Sequence, residues 1–452
     1  MQENKQTFYH ILPNGLKIVH RLTDSPVAFV GVMVGAGTRD EQPEENGMAH
    51  YIEHCVFKGT THHSARAIIH AIEGIGGEIN AYTTKEETTF YAATLCEHVQ
   101  RTLHLIAEML LEPTFKKEET DKERMVILDE IESYNDQPSE LIYDDFENLV
   151  FSGSSLALPI LGIKKTLRHI SSKPEFARNW MRTHYTPDRM VVFCQGNLRP
   201  ERIFRLAERE FGSLQVPSVS PLAFPSPSSS PSPFPSPSPS PSPKVALESP
   251  SNRRSTDGQP TVNHNVSTIP ERERTFRRRT HQTHVMIGQR AYPLGHERQL
   301  PLYLLNNILG GGSLNSRLNL SMRETHGLVY QVESTYTPLS DTGYWATYFA
   351  CEPEHAEQCM TVFRHELERL QDHPLSETNL RNALRQLRGQ MAIAAQNQES
   401  SALAMAKSML YFSGAPTWQE TYQKIAQTTS EQLLQISREI LSVDNLLTLR
   451  YE

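Results

Sequence analysis

The chain has 452 residues, enough for two domains of about 200 residues each. Its formal net charge of −8 at pH 7 argues against a general nucleic-acid-binding protein. The sequence has no basic N-terminal segment followed by an apolar one and no run of about 18 apolar residues, so it predicts neither a secretory signal nor a membrane span. The five cysteines are scattered and odd in number, which favours reduced thiols in a cytoplasmic protein.

The first predicted elements are strands. Residues 7–21 are typical of two strands around a Pro-Asn-Gly turn, and residues 27–36 form an apolar, β-branched run long enough for a buried strand. A polar, turn-rich segment at 40–47 separates this strand from a predicted helix.

That helix carries the pentad His50-Tyr51-Ile52-Glu53-His54. Residues four apart lie on one face of a helix, so His50 and His54 can hold one zinc ion with Glu53 beside them. The order H-x-x-E-H is a metallopeptidase signature, in which the carboxylate works on a water at the metal. The alternative is a helix whose two histidines are solvated or packed in the core. A metal site therefore needs a third ligand from elsewhere in the chain.

Alternating strands and helices are predicted for the rest of the first half. A helix capped by Ser64 runs to about Ile75, and glycines then end it. The elements predicted next are an antiparallel pair at Glu78–Thr83 and Thr88–Leu95, helices at 98–111 and 117–135, a less regular segment up to about 185, a buried strand at Met190–Gly196 and a helix at 200–211.

The helix at 117–135 is the best source of a third ligand. Glu123 and Glu130 are seven residues apart, almost two helical turns, and lie near the apolar face that carries Ile127 and Ile131. The alternative for both glutamates is a solvated acidic stripe.

The composition changes abruptly at residue 216. Residues 217–243 alternate proline and serine and cannot form a core, so we expect an extended, polyproline-II-like segment. We predict a linker at 216–270 between an N-terminal zinc-binding domain, 1–215, and a C-terminal domain, 271–452. The alternative is a recognition arm for PxxP-binding domains.

The second half repeats the order of elements in the first. Both halves are predicted to contain helix, helix, strand, strand, helix and helix, which indicates an α+β fold of two similar domains, each a mostly antiparallel sheet packed with helices. The elements predicted here are a strand at 283–292, helices at 299–309 and 314–325 around a glycine break, strands at 329–337 and 342–350, and helices at 354–371 and 376–397. Only the first half carries the histidine pair.

Four segments, in chain order, resemble the pitrilysin/insulinase family of zinc peptidases. They are HYIEHCVFKGT, GGEINAYTTKEETTFYAATL, ERMVILDEIESYNDQP and GGGSLNSRLNLSMRETHGLVYQVES. The resemblance covers nearly the whole chain except the Pro/Ser-rich insert. It is closest to the half-length members, which include bacterial processing-type peptidases and the β subunit of the mitochondrial processing peptidase.

The resemblance implies a zinc endopeptidase with one Zn²⁺ per chain, held by His50, His54 and Glu130. Glu53 would take a proton from the water at the zinc ion and pass it to the leaving amine. Glu123 matches a second family glutamate that is needed for activity, and it would orient the site.

The resemblance also implies residues that bind a peptide substrate. Asn80, Ala81 and Tyr82 match a strand to which the substrate adds as a further strand. Phe57 matches a residue that lines the pocket just beyond the scissile bond. Without the family match, these residues would be interpreted as an ordinary edge strand and a core aromatic.

Two further pairs match substrate-binding positions of the family. Arg323 and Tyr330 match an R-x6-Y pair that reaches across a chamber to hold the substrate. Glu140 and Asp144 match acidic residues that are associated with binding an arginine near the cleavage point. The alternatives are a surface arginine with a strand tyrosine, and a solvated acidic stripe.

Half-length members of the family usually pair to form a four-domain chamber, in which peptides or unfolded segments are hydrolysed. We therefore expect a homodimer or a heterodimer with a homologous subunit. Two alternatives stay open: the zinc-bearing subunit of a heterodimeric processing peptidase, and a non-catalytic structural or binding subunit of the same fold.

Overall fold

The computed structural model describes residues 6–215, 272–278, 280–412 and 414–452. The predicted linker at 216–270 lies outside these residues, so the domain limits stay predictions. The described residues form two sheets, each covered by helices, with one sheet in either half of the chain.

The first sheet has six strands in the order β1-β2-β6-β3-β5-β4. All neighbours are antiparallel except β2 and β6, which are parallel. The tight turn between the first two strands needs Gly15, whose φ of +89° favours glycine. The strands are β1 (Thr7–Ile11), β2 (Lys17–Leu22), β3 (Val27–Val34), β4 (Glu78–Thr83), β5 (Thr88–Leu95) and β6 (Met190–Gly196).

The second sheet has five strands in the order β7-β11-β8-β10-β9. This is the order of the first sheet without β1, and the equivalent pair, β7 and β11, is again the parallel one. The predicted fold class, two similar α+β units with mostly antiparallel sheets, is therefore confirmed. The strands are β7 (Glu273–Phe276), β8 (Thr283–Ala291), β9 (Val329–Pro338), β10 (Gly343–Cys351) and β11 (Leu447–Tyr451).

Fourteen α-helices are found in the described parts of the chain. None of them is long and apolar enough to cross a membrane. They are α1 (Met48–Val56), α2 (Ala65–Glu73), α3 (Val99–Leu111), α4 (Lys117–Asn135), α5 (Pro138–Val150), α6 (Lys164–Ile170), α7 (Pro174–His184), α8 (Pro200–Phe211), α9 (Gln299–Gly310), α10 (Ala356–Asp372), α11 (Glu377–Ala394), α12 (Gln398–Tyr411), α13 (Trp418–Ile425) and α14 (Ser430–Ile440).

Two predicted elements differ from the structure. The segment up to about 185 is not irregular, because it contains α5, α6 and α7. Pro138 and Pro174 lie in the first turn of α5 and α7, where a missing N–H costs nothing, so these prolines begin helices instead of interrupting them. The helix predicted at 314–325 is a shorter π-helical segment, Asn319–Thr325.

Each half contributes one helix that packs on the sheet of the other half. Helix α12 of the C-terminal half packs on the outer face of the first sheet, with Met405 and Met409 against Phe193. Helix α5 of the N-terminal half packs on the outer face of the second sheet, with Phe146 against Leu449. Because burial of a large apolar side chain contributes about 1.5–3 kcal/mol, these two apolar clusters hold the halves together.

Candidate metal centre

Helix α1 carries the pentad between the first core and the elements α4 and β4. Its residues Ala49, Ile52 and Val56 are fully buried in the core. His50 and His54 lie on another face of the helix, where α1 contacts α4 and β4. Because the helix repeats every 3.6 residues, one face of α1 packs in the core and another carries the two histidines.

The start of α1 is held by a buried carboxylate that the sequence did not predict. Gly47 has a φ of +94°, and its N–H donates to Glu41 at 2.9 Å, while the N–H of Ala49 donates at 2.8 Å. The side chain of Asn46 donates to the same carboxylate at 3.1 Å. Burial raises the pKa of Glu41 to about 8, against the effect of these donors. Glu41 lies too far from the helix start for any capping rule to identify it.

His50, His54 and Glu130 converge on one point. Their candidate ligand atoms all lie within 4.8 Å of one another. Oε2 of Glu130, on α4, is 3.5 Å from Nε2 of His54 and 3.8 Å from Nε2 of His50. The two imidazole rings are 4.6 Å apart between centroids. The structure therefore brings together the three residues that the sequence pointed to.

The donor set fits a zinc ion. The Glu130 side chain is 42% exposed as a whole, yet its Oε2 atom is enclosed and has no hydrogen-bond partner. Buried polar atoms are nearly always hydrogen-bonded, so this unpaired oxygen next to the Nε2 atoms of two imidazoles calls for a cation. Two histidines and one carboxylate form a typical catalytic zinc site.

The electrostatics of the two histidines differ. Burial, with the neighbouring His54, lowers the pKa of His50 to about 3, so His50 is neutral at neutral pH, as a metal ligand must be. Burial also acts to lower the pKa of His54, but the carboxylates of Glu123, Glu130 and Glu53 outweigh it and raise that pKa. The surrounding negative charge stabilises a proton on His54. The same charge would stabilise a metal cation in place of that proton.

Glu123 fixes the orientation of His54. Nδ1 of His54 lies 2.8 Å from Oε1 of Glu123, and since a carboxylate only accepts, Nδ1 carries the hydrogen and leaves Nε2 free for a metal. Lys58 contacts the other oxygen of Glu123 at 2.7 Å. Burial acts to raise the pKa of Glu123, but these two partners lower it, so the carboxylate stays ionised. Lys58 carries no spacing signal in the sequence and was not predicted.

Glu53 lies beside the cluster and is held by strand β4. The hydroxyl of Thr83, the last residue of β4, donates to Oε2 of Glu53 at 2.5 Å. Burial raises the pKa of Glu53, which brings this carboxylate closer to the range of an effective general base. The role of Thr83 was not predicted, because it depends on a contact across 30 residues of sequence.

Strand β4 carries the predicted strand-binding residues at the edge of its sheet. Among the described residues β5 is the only strand that pairs with β4, so its outer edge is open to a further strand. Asn80 is exposed, and Ala81 and Tyr82 are half-buried. Phe57, at the end of α1, is half-buried and packs against the first core.

The remaining predicted residues lie in two other places. Glu140 and Asp144 are on α5; Glu140 is exposed, and Asp144 is half-buried with a pKa that burial raises to about 6. Arg323 lies on the π-helical segment, 5.8 Å from the ring centroid of Tyr330, which is 84% exposed. Within the described residues, neither Arg323 nor Tyr330 has a hydrogen bond or ion pair to the metal cluster.

The chain is similar to known proteins along nearly its whole length. Residues 18–164 match the model of the family "Insulinase (Peptidase family M16)", and residues 173–387 match "Peptidase M16 inactive domain". The chain is 29% identical over 439 residues to the "uncharacterized zinc protease YmxG" of Bacillus subtilis, covering 96% of each chain. It is 30% identical over 432 residues to the "uncharacterized zinc protease Rv2782c" of Mycobacterium tuberculosis, covering 95% of this chain and 90% of the relative.

Solved structures show the same fold. A protease from Helicobacter pylori superposes with a TM-score of 0.82 at 18% identity, covering 99% of this chain and all of the other. A structure from Pseudomonas fluorescens, described as a peptidase M16 inactive domain, gives a TM-score of 0.80 at 19% identity and covers 99% and 98%. With both halves matched by family models and the relatives aligned along nearly their whole length, this chain belongs to the insulinase family, peptidase family M16.

Proposed function

We propose that the protein is a zinc-dependent endopeptidase. The observation that supports this function best is the cluster of His50, His54 and Glu130, in which Glu130 has an enclosed oxygen without a donor, next to Glu53 on the same helix. A structural zinc site needs four protein ligands, whereas three ligands with an adjacent base are typical of hydrolytic sites.

The roles of the surrounding residues follow from their contacts. A zinc ion, when bound, supplies positive charge that acidifies a water molecule and polarises a carbonyl group. Glu53, with its raised pKa, accepts a proton from the attacking water and delivers it to the leaving amine. Glu123 holds the His54 ring in one tautomer, and Thr83 holds the Glu53 carboxylate in place.

The open edge of β4 supports a peptide substrate in an extended conformation. A strand that adds to this edge pairs through its backbone, so recognition depends on extension more than on side chains. Thr83 links β4 directly to Glu53, so a peptide aligned on β4 passes next to the base. These features favour peptides and unfolded segments as substrates over compact proteins.

We also propose that two homologous subunits pair to close a chamber around the site. Tyr330 is highly exposed for a tyrosine, and Arg323 stacks beside it without a contact to this chain's own cluster. Such a pair is placed to reach a partner subunit. Sedimentation of the purified chain distinguishes a homodimer from a monomer that needs a different partner.

Cleavage of a mixed peptide library tests the proposed function. We expect about one zinc per chain, cleavage at internal peptide bonds, loss of cleavage with a chelator and recovery on addition of zinc. A dimeric, zinc-loaded protein that cleaves no peptide would instead identify a non-catalytic binding subunit. A monomeric zinc protein that gains activity from a homologous chain would identify a heterodimeric processing peptidase.

A further inference from the structure

The turn between β4 and β5 buries three consecutive charged residues. Lys85, Glu86 and Glu87, which we call the β4–β5 tip, are only 6%, 4% and 2% exposed. Hairpin turns with several charges normally lie in water, because a buried charge without a partner is strongly unfavourable. The burial of all three charges therefore requires specific partners.

The partners of both glutamates come from the C-terminal half. Glu87 accepts hydrogen bonds from Lys407 at 2.5 Å and from the hydroxyl of Tyr411 at 2.8 Å, both on α12. Glu86 accepts from the backbone N–H of Ser340 at 2.9 Å and from its hydroxyl at 2.6 Å. Ser340 lies in the turn between β9 and β10, so the tip is bound by two separate elements of that half.

Arg39 joins the tip to the segment that precedes α1. Its guanidinium lies 2.5 Å from Glu86, donates to Ser340 at 3.0 Å and pairs with Asp341. The backbone N–H of Arg39 also donates to the carbonyl oxygen of Lys85 at 2.7 Å. The tip, the segment before α1 and the C-terminal half therefore meet at Arg39.

Lys85 makes a third connection, through α5. Its Nζ lies 3.0 Å from Glu147, and the hydroxyl of Tyr344, on β10, donates to the same carboxylate at 2.9 Å. Since α5 packs on the second sheet, Lys85 is also fixed relative to the C-terminal half.

The tip is rigidly connected to the general base. The hydroxyl of Thr84 accepts hydrogen bonds from the backbone N–H of Glu86 at 3.2 Å and from that of Glu87 at 3.1 Å. The backbone N–H of Thr84 donates to the carbonyl oxygen of Glu87 at 2.8 Å. Thr83, which precedes Thr84 and is the last residue of β4, donates to Glu53. A displacement of the tip therefore moves both the open strand and the hydrogen bond to Glu53.

We propose that the β4–β5 tip is a positioning device through which the C-terminal half aligns strand β4 and Glu53. The inference rests on the proposed function, in which β4 holds the peptide and Glu53 acts on water. In this arrangement the C-terminal half, which lacks the histidine pair, contributes to hydrolysis by positioning. Its residues Lys407 and Ser340 hold the β4–β5 tip, and the tip aligns β4.

Substitutions on either side of the contact test this proposal. Glu87→Gln and Lys407→Met should each lower kcat for peptide cleavage about tenfold and raise KM, with zinc content unchanged. The double variant should be little worse than either single one, because both remove the same interaction. Lys407→Arg, which keeps the charge, should restore most of the activity.

Glu366→Gln is the matched control. Glu366 is also buried, at 4% exposure, and pairs with Arg369 at 2.8 Å, but it lies on α10 and has no contact with the tip. This substitution should lower stability while leaving kcat and KM near the wild-type values. A loss of packing alone would make the tip variants behave in the same way as this control.

Amide hydrogen exchange of the zinc-free protein provides a readout that does not depend on activity. Glu87→Gln and Lys407→Met should speed exchange about tenfold at Glu78–Thr83, and Glu366→Gln should not. If the wild type cleaves peptides and the tip variants match the control in kcat, KM and exchange, the positioning role is overturned. If the wild type cleaves nothing, the proposed function fails, and the exchange rates still decide whether the tip holds β4.

Discussion

At the scale of single residues, the proposed function assigns metal binding and proton transfer to different side chains. His50, His54 and Glu130 have their ligand atoms within 4.8 Å of one another, whereas Glu53 is held apart from them by Thr83. His54 is the most constrained of the three, because Glu123 fixes one of its nitrogens. Loss of a ligand and loss of the base should therefore have different effects.

Substitution of the proposed base, Glu53, should strongly lower turnover without loss of metal. Glu53→Gln keeps the hydrogen-bonding shape but cannot accept a proton, so we expect zinc to stay bound and kcat to fall roughly 100-fold or more. His54→Ala and Glu130→Ala should lose the zinc itself. Metal analysis beside peptide kinetics checks both, and near wild-type cleavage by Glu53→Gln would show that another group is the base.

Removal of the carboxylate that holds α1 should destabilise the protein. Glu41→Ala leaves the N–H groups of Gly47 and Ala49 without an acceptor, so we expect a loss of about 2–3 kcal/mol in the free energy of unfolding. Urea unfolding measures this loss. Glu44→Ala, at a nearby exposed position, is the control and should change stability by less than about 0.5 kcal/mol.

At the scale of elements, α5 combines a packing face with two residues that are predicted to bind substrate. Its apolar face, with Ile142 and Phe146, packs on the second sheet. Glu140 and Asp144, four residues apart and therefore on one side of the helix, were predicted to bind a substrate arginine. The structure shows that the two carboxylates differ in environment, since Glu140 is exposed and burial raises the pKa of Asp144 to about 6.

This difference predicts a pH-dependent preference for arginine. Because the raised pKa leaves Asp144 ionised above about pH 6 and neutral below it, preference for peptides with arginine before the scissile bond should weaken as the pH falls through about 6. Competition between arginine-containing and neutral peptides, carried out at several pH values from 5 to 8, measures this preference. The range extends to either side of pH 6 and lies above the ordinary pKa of an aspartate.

Two variants decide whether the carboxylates act on arginine. Asp144→Asn should remove the pH dependence of the preference, and Glu140→Gln with Asp144→Asn should lower kcat/KM for arginine peptides while sparing neutral ones. Equal losses for both peptide classes would show that Glu140 and Asp144 are only a solvated acidic stripe.

At the scale of the whole molecule, the halves are joined by packing as well as by the chain. Helix α12 covers the first sheet and α5 covers the second, and the charged contacts of the β4–β5 tip lie between them. A half expressed alone would expose an apolar sheet face that the other half normally covers. We therefore expect that the association of the halves does not depend on the composition of the segment between them.

Replacement of the Pro/Ser-rich segment should be tolerated. The composition of residues 217–243 predicts that they contribute no core, so a Gly/Ser segment of equal length should leave the folded fraction, zinc content and peptide cleavage close to wild type. Thermal unfolding and metal analysis check this outcome. Insoluble protein after the exchange would mean that the native segment has a structural role.

The sequence by itself determined the features that depend on local spacing. His50, Glu53 and His54 are positions of one helical turn, and most strands and helices up to residue 397, apart from α5, α6 and α7, follow from periodicities of 2 and 3.6 residues. The open edge of β4 and the place of Glu130 followed from the family resemblance, and the structure brings Glu130 to the two histidines.

Only the tertiary structure decided the support of the site. Thr83 reaches Glu53 across 30 residues, and Lys407 reaches Glu87 across 320. Glu41, Lys58 and the buried charges of the tip have no local signal, because a charged residue on a turn is solvated unless distant parts of the chain bring a partner. Periodicity acts over a few residues, whereas burial and pairing depend on what the rest of the fold places nearby.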